Sequence, residues 1–320
     1  MLSIIITAKE EPRTVGMAIR AFLKSVENYK LKNKEIKFEI IVVAPDKETL
    51  QAAKETYAEV KLMQDKDGGG KAAAMNLAIE KVQGEQLIFS DGDVEVAENV
   101  IEELLKIKSE AVTGRPVVTQ ALKHSSTKTL KHKNIKTQEK INIKAQKYEY
   151  WQECLVDMAH KIRLERDKKN EFLLLSGYLF LIKKEILKDF KFSENLLTED
   201  EYLSYWLWQQ GCKVKYASLA EVKVKYADNY HDWIKQKIRS VAGGYQIPVE
   251  WKKKIAMRSF SKEAVGGLKM IMDNVKTFKQ AYWMKLLFIA RLQAWLLAWW
   301  KVKILKQQRG QVWQRVESTK

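Results

Sequence analysis

Cysteine is almost missing from this chain. Among 320 residues only Cys154 and Cys212 occur, far apart and outside any CxxC spacing. Two isolated thiols speak against a disulfide framework and a zinc site, and they fit a reducing compartment. A secretory leader is lacking as well: Met1-Leu2-Ser3-Ile4-Ile5-Ile6 has no basic flank and is too short. A cytoplasmic location is therefore expected. Acidic residues are in deficit, 40 against 57 Lys and Arg, which leaves a formal charge of +17. That surplus admits nucleic acid, an anionic membrane surface or a phosphorylated substrate as partner. No nucleic-acid-binding motif is present, and the charge is gathered neither in a recognition helix nor on an aromatic-studded strand. Nucleic acid is therefore not an expected partner. Apolar residues are not scarce: at 46% they argue against global disorder, and the length suits one large domain or two small ones.

The first half of the chain alternates strand and helix signals. Ser3 to Ala8 is nearly all apolar, like a central parallel strand, and Lys9-Glu10-Glu11-Pro12 breaks it. Val15, Ile19, Phe22, Leu23 and Val26 recur at helical spacing over Thr14 to Val26. Phe38 to Ala44 is a second apolar strand ended by Pro45-Asp46, followed by a polar helix to about Tyr57 and a short strand, Val60 to Met63. Such alternation predicts a doubly wound sheet. The Gly-rich loop Asp65-Lys66-Asp67-Gly68-Gly69-Gly70-Lys71 opens a helix, Ala72 to Lys81. A loop of this kind at a helix N-terminus can cradle phosphate; its plain structural reading is a surface loop. It is not a Walker A loop, since Ala72 follows Lys71, nor a GxGxxG turn.

Leu87-Ile88-Phe89-Ser90-Asp91-Gly92-Asp93-Val94 is the stretch around which the rest is organised. An apolar run leads into a turn with two carboxylates two positions apart. In open α/β sheets ligands sit beyond the carboxyl ends of the strands. Two carboxylates there suit a hard divalent cation shared with substrate phosphates, although Asp and Gly are also ordinary turn residues. Further on, a helix is expected over Val100 to Lys108 and a strand over Ala111 to Gln120. Trp151, Leu155, Met158 and Ile162 form a helical stripe of core or partner-facing type. Leu173 to Ile182 is an apolar run broken by Ser176-Gly177, where Gly177 permits close approach of a substrate. Thr198-Glu199-Asp200-Glu201 has the form of a capping box at a helix start, with acids favoured by the helix dipole.

Taken in order, these segments resemble family 2 glycosyltransferases, whose fold is GT-A. The resemblance covers roughly residues 3 to 245. Ser3 to Glu11 resembles the family's opening strand and acidic turn, which brings Ala8 and Glu10 to the nucleotide. Glu39-Ile40-Ile41-Val42-Val43-Ala44-Pro45-Asp46 resembles the second strand, with Asp46 the nucleoside-binding acid. Gly70-Lys71-Ala72-Ala73-Ala74-Met75-Asn76 resembles the Gly-Lys-x-x-A-x-N helix start, which assigns Gly70, Lys71 and Asn76 to the donor. Asp91-Gly92-Asp93 stands where the family keeps its metal-binding DxD, for Mg²⁺ or Mn²⁺. Ser176-Gly177 resembles the strand beside the donor sugar. Thr198-Glu199-Asp200 resembles the acidic motif whose Asp is the general base, so Asp200 takes that role with Glu199 as its neighbour. Trp233 to Ser240 resembles Gln-x-x-Arg-Trp, with Gln236 and Arg239 matching and Ser240 in place of Trp, which argues against a processive polysaccharide synthase. The resemblance implies an α/β fold with a GT-A-like doubly wound mixed sheet flanked by helices. It also implies metal-dependent, inverting transfer from a nucleotide-diphospho-sugar, most simply a UDP-sugar, to an acceptor hydroxyl. A nucleotidyltransferase on a similar fold, a non-catalytic basic nucleic-acid- or membrane-binding protein, and a membrane scaffold with a decayed catalytic fold are the alternatives.

The expected organisation is a catalytic domain over residues 1–245, its nucleotide-sugar half ending near 120, and a basic helical tail over 246–320. From Lys279 onward Trp283, Trp295, Trp299, Trp300 and Trp313 accompany nine Lys and Arg, with Glu317 the one acid. Ala281 to Trp300 is long enough to span a bilayer, but Lys285, Arg291 and Gln293 lie inside it. A mid-span Arg or Lys costs about 2.5 to 3.5 kcal/mol. Trp with Lys is the composition of a helix lying in the headgroup region. A membrane surface on the inner face of the cell, and a lipid-linked or envelope-associated acceptor, are the partners this composition implies. A docked soluble helix and a true span are the other two readings.

Overall fold

A computed structural model describes residues 1–32, 35–66, 69–119, 135–253, 255, 260–307, 312 and 318. Its contacts group Met1–Val117 with Ile162–Val224 in one unit, and Val118–Lys161 with Lys225–Thr319 in another.

In the first unit the apolar N-terminal run becomes β1 (Leu2–Thr7), every residue of it buried. A strand buried on both faces needs neighbours on both edges, and β1 has them. It pairs in parallel with β2 (Phe38–Ala44) and with β4 (Gln86–Asp91). Beyond β2 lies β3 (Lys61–Gln64), also parallel. On the other side β7 (Leu179–Lys183) runs antiparallel to β4, followed by β6 (Ala111–Val118), β8 (Val214–Val224) and the short β5 (Glu95–Val96). The eight-stranded order is β3-β2-β1-β4-β7-β6-β8-β5. The chain winds outward from β1 to β3 and then crosses back to β4. The β1/β4 border is therefore the switch point at which such sheets open a ligand crevice. Register brings Thr7 level with both Val43 and Asp91, so three strand ends converge there.

Helices cover the sheet: α1 (Val15–Lys32), α2 (Lys47–Thr56), α3 (Lys71–Lys81), α4 (Val100–Leu105) and α6 (Glu199–Gln209). Helix α1 runs past Val26, where its apolar period stops, because no Gly or Pro follows to end it. Expectation and structure part at Leu173 to Ile182. The strand starts only at Leu179, because the amides before it bond to side chains rather than to a ladder.

The second unit is helical. It takes in most of α5 (Ile135–Lys168), with α7 (Tyr230–Gly243), α8 (Val249–Lys253), α9 (Phe260–Asn274) and α10 (Phe278–Trp299). Tryptophans hold its core. Trp151 is buried, lies 5.3 Å edge-on to Trp233, and donates its indole N–H to the Trp283 carbonyl at 2.7 Å. Leu155 and Met158 pack on this cluster, so the stripe on α5 is core over that part, while Ile162 is exposed. No helix among the described residues is long and apolar enough to cross a membrane.

Candidate active site

Two groups of residues meet at the carboxyl ends of β1, β2 and β4. The first surrounds the end of β1. Ala8 continues the pairing, its N–H donating to the Val43 carbonyl at 3.0 Å. Glu10 then turns through a left-handed conformation, φ 53°, unusual for a residue with a side chain. Its N–H donates to Asp46 Oδ2 at 2.7 Å, while Asp46 Oδ1 accepts from Thr49 N–H at 2.9 Å. Asp46 thus caps α2 and fixes the turn after β1 with the same carboxylate. Gly92 rests on this turn: a Cβ there would come within 2.6 Å of both Ala8 Cβ and Glu11 Oε2. The Asp91-Gly92-Asp93 turn is therefore moulded against β1, and only glycine fits at its centre.

The second group is knit by Lys71, the first residue of α3. Gly70 before it has φ 83° and ψ −169°, a backbone region open to glycine almost alone. The lysine ammonium lies 2.6 Å from Asp91 Oδ1 and 3.3 Å from Glu199 Oε1, and it donates to the Gly177 carbonyl at 2.6 Å. Burial opposes its charge, but Asp91 and Glu199, with Asp200 behind them, outweigh that and hold its pKa above the ordinary lysine value.

Asp200, in the first turn of α6, completes the cluster. Its Oδ2 accepts from Gly177 N–H at 2.8 Å and its Oδ1 from Glu201 N–H at 2.9 Å. Burial first, and then the charge of Glu199, push its pKa up to about 6, against the partial relief that Lys71 gives. Each oxygen accepts one bond and keeps a further lone pair. The carboxylate can therefore take a proton near neutral pH.

The loop that carries Gly177 is held amide by amide. Leu175 N–H donates to Ser204 Oγ and Ser176 N–H to Thr113 Oγ1, both at 2.8 Å. Ser204 in turn donates to the Asp200 carbonyl at 2.6 Å. Neither Ser204 nor Thr113 was among the expected site residues, and no motif marks them; only Ser204's place one turn after Asp200 hints at it. The capping box expected at Thr198 does not form. The Thr198 hydroxyl donates to the Glu201 carboxylate at 3.3 Å and makes no bond to the helix backbone, because Asp200 has already taken Glu201 N–H.

The structure brings Lys71, Asp91, Gly177, Glu199 and Asp200 into direct contact and sets Ala8, Glu10 and Asp46 beside them at the neighbouring strand ends. Asn76 faces elsewhere. Its amide both donates to and accepts from the Phe192 backbone, at 2.8 and 2.9 Å, and so fixes the segment before α6. Gln236 and Arg239 lie one turn apart on α7, in the second unit. Asp67 and Gly68 of the Gly-rich loop fall outside the described residues.

Among the described residues no group of three or more His, Cys, Asp or Glu side chains is placed to hold a metal. The turn offers two carboxylates, Asp91 and Asp93. Carboxylate oxygen is the donor type that Mg²⁺ or Mn²⁺ takes, commonly one or two from the protein with substrate phosphate and water completing the shell; Asp91 Oδ1 here faces the Lys71 ammonium.

A mixed sheet with a switch point at β1/β4, an antiparallel β7 beside β4 and flanking helices is the architecture of GT-A glycosyltransferases. Residues 2–243 match glycosyltransferase-like family 2, and the chain belongs to that family. The fold is similar to that of a mannosyltransferase, PcManGT, from Pyrobaculum calidifontis, solved with GDP-Man and Mn²⁺. The TM-score is 0.54 at 14% identity, over 92% of this chain and 86% of that one. TarS 1–349 of S. aureus, solved with UDP, gives 0.48 at 15% identity, over 96% and 92%. No curated protein matches the sequence at a significant level.

Proposed function

We propose that this glycosyltransferase moves a sugar, with inversion, from a nucleotide-diphospho-sugar to an acceptor hydroxyl, and that Asp200 is its general base. The observation that carries this is the Asp200 carboxylate, raised toward neutrality and seated against Gly177, in one contact network with Asp91. Family membership supports a nucleotide-sugar donor, and the similar mannosyltransferase was solved with such a donor and Mn²⁺.

The nucleoside belongs at the ends of β1 and β2, where Ala8, Glu10 and Asp46 shape one turn. Asp91 and Asp93 would hold Mg²⁺ or Mn²⁺, which supplies positive charge where the leaving diphosphate becomes more negative. The bare backbone of Gly177 lets the Asp200 carboxylate and the Lys71 ammonium close on it, and Lys71 holds that loop by its carbonyl. Asp200 takes the proton of the acceptor hydroxyl as the oxygen bonds to the anomeric carbon from the face opposite the leaving group. The bond from that carbon to the diphosphate breaks, and the nucleoside diphosphate leaves with the electron pair. Glu199 disfavours a negative Asp200 at rest, which makes it a better base.

A panel of UDP- and GDP-sugars, each with Mn²⁺, with Mg²⁺ and with chelator, tests the proposal. The expected result is metal-dependent release of UDP from one UDP-sugar, and a product of inverted anomeric configuration by proton NMR. Release of pyrophosphate would make the enzyme a nucleotidyltransferase, and a retained anomer would remove Asp200 as an inverting base. GDP release would change the donor alone.

A further inference from the structure

Helix α10 has two apolar faces. Trp283, Met284, Leu287, Ala290, Ala294 and Ala298 are buried, and Met284, Leu287 and Ala290 join the tryptophan core of the second unit. At 3.6 residues per turn these fall on one side of the helix. On the opposite side Phe278 is 98% exposed, and Tyr282, Ile289, Leu292, Leu296 and Trp299 are exposed with it. Their spacing of three, four and seven residues puts them on one line. A helix that already buries one face ordinarily turns a polar face outward. This one does not.

Charge identifies what the outer line meets. From Asn274 to Gln307 there is no Asp or Glu, but there are seven Lys and Arg. Lys285 is exposed and lies on the apolar line itself, where its long stem can carry the ammonium out of an apolar layer toward phosphate. Aromatic residues, Phe278 with Tyr282 and Trp299 with Trp300, stand at both ends of the line. A second copy of this face would bring only positive charge against positive charge. No described helix is long and apolar enough for a span.

We propose that α10 lies flat on an anionic bilayer, its Phe278-to-Trp299 line sunk at the acyl boundary and its cations on lipid phosphates. The full chain should then pellet with phosphatidylcholine vesicles containing phosphatidylglycerol, should not pellet with phosphatidylcholine alone, and should come off in high salt. Leu292→Glu with Leu296→Glu changes exposed side chains only, and it should weaken vesicle binding at least tenfold while leaving thermal melting and nucleotide-sugar hydrolysis in solution unchanged. Lys285→Glu alone should weaken binding by a smaller factor and make what remains less sensitive to salt.

Any of four results would overturn the proposal. The full chain never pellets with anionic vesicles. The double variant pellets as well as the native chain. The protein stays bound through high salt and alkaline washing, as an inserted segment would. Sedimentation velocity shows a dimer that the double variant dissociates, with no vesicle binding, which would make the face a self-interface.

Discussion

Gly177→Ala tests the link between backbone and base. The added Cβ would stand 3.0 Å from Asp200 Oδ2, 3.3 Å from its Cγ and 3.4 Å from Lys71 Nζ. A Cβ is seldom this close to a neighbouring atom, so the carboxylate must give by a few tenths of an ångström. Retreat lengthens the 2.8 Å bond from Gly177 N–H, one of two that aim the carboxylate. A misplacement of 1 Å costs about a hundredfold in rate, so a few tenths should lower kcat by roughly four- to sixfold. Stability should hold. Gly177 is not among the positive-φ glycines, and Gly→Ala at a compatible backbone adds about 0.4 to 1 kcal/mol through the unfolded chain. The assay is steady-state transfer with a thermal melt on the same preparation, repeated in an Asp200→Asn background. There the alanine should cost almost nothing more, because the group it displaces no longer works. Native kcat with an unchanged melt would refute the reasoning, and so would losses that multiply in the double variant.

Asp200→Asn should cut transfer to a small residual rate while donor binding survives, measured by calorimetry with the nucleotide-sugar; lost donor affinity would give Asp200 another role. In the native enzyme the base works ionised and its pKa is raised, so kcat/KM should fall as pH drops through about 6, well above the ordinary aspartate value of 3.8. An acidic limb near pH 4 would contradict this. Asp93→Asn should remove metal-dependent turnover with the fold intact by circular dichroism, since the side chain stands on a partly exposed turn beyond β4; normal turnover would end the metal-site proposal. Asn76→Ala deletes two hydrogen bonds worth about 0.5 to 1.5 kcal/mol each, so it should lower the melting temperature and leave donor KM unchanged, whereas a raised KM would restore a ligand contact.

What the sequence disclosed follows a physical division. Strands β1, β2 and β4 were legible because both of their faces are buried, which forces continuous apolar runs such as Ile4-Ile5-Ile6. The acids at their ends were legible because a strand end at a switch point is where a ligand sits, and the family resemblance put numbers on them. Lys71 was legible as a loop residue but not as the tie between β4, α6 and the loop before β7. Its bond to Gly177 closes a separation of 106 residues, and no local pattern records that. Asn76 and Thr198 show the opposite limit. Each carries the residue type its motif asks for, yet a neighbour decides the bond: the Phe192 backbone takes the Asn76 amide, and Asp200 pre-empts the amide a capping box would fill. The tail shows why composition alone was ambiguous. Its residues are apolar all around the helix, so periodicity could not say which side meets the protein. Packing settles it by placing Trp283, Met284 and Leu287 inward. The outer line of Phe278, Tyr282, Ile289, Leu292 and Leu296 then acquires a meaning it did not have in sequence: apolar area kept in water by a helix whose own core is already complete.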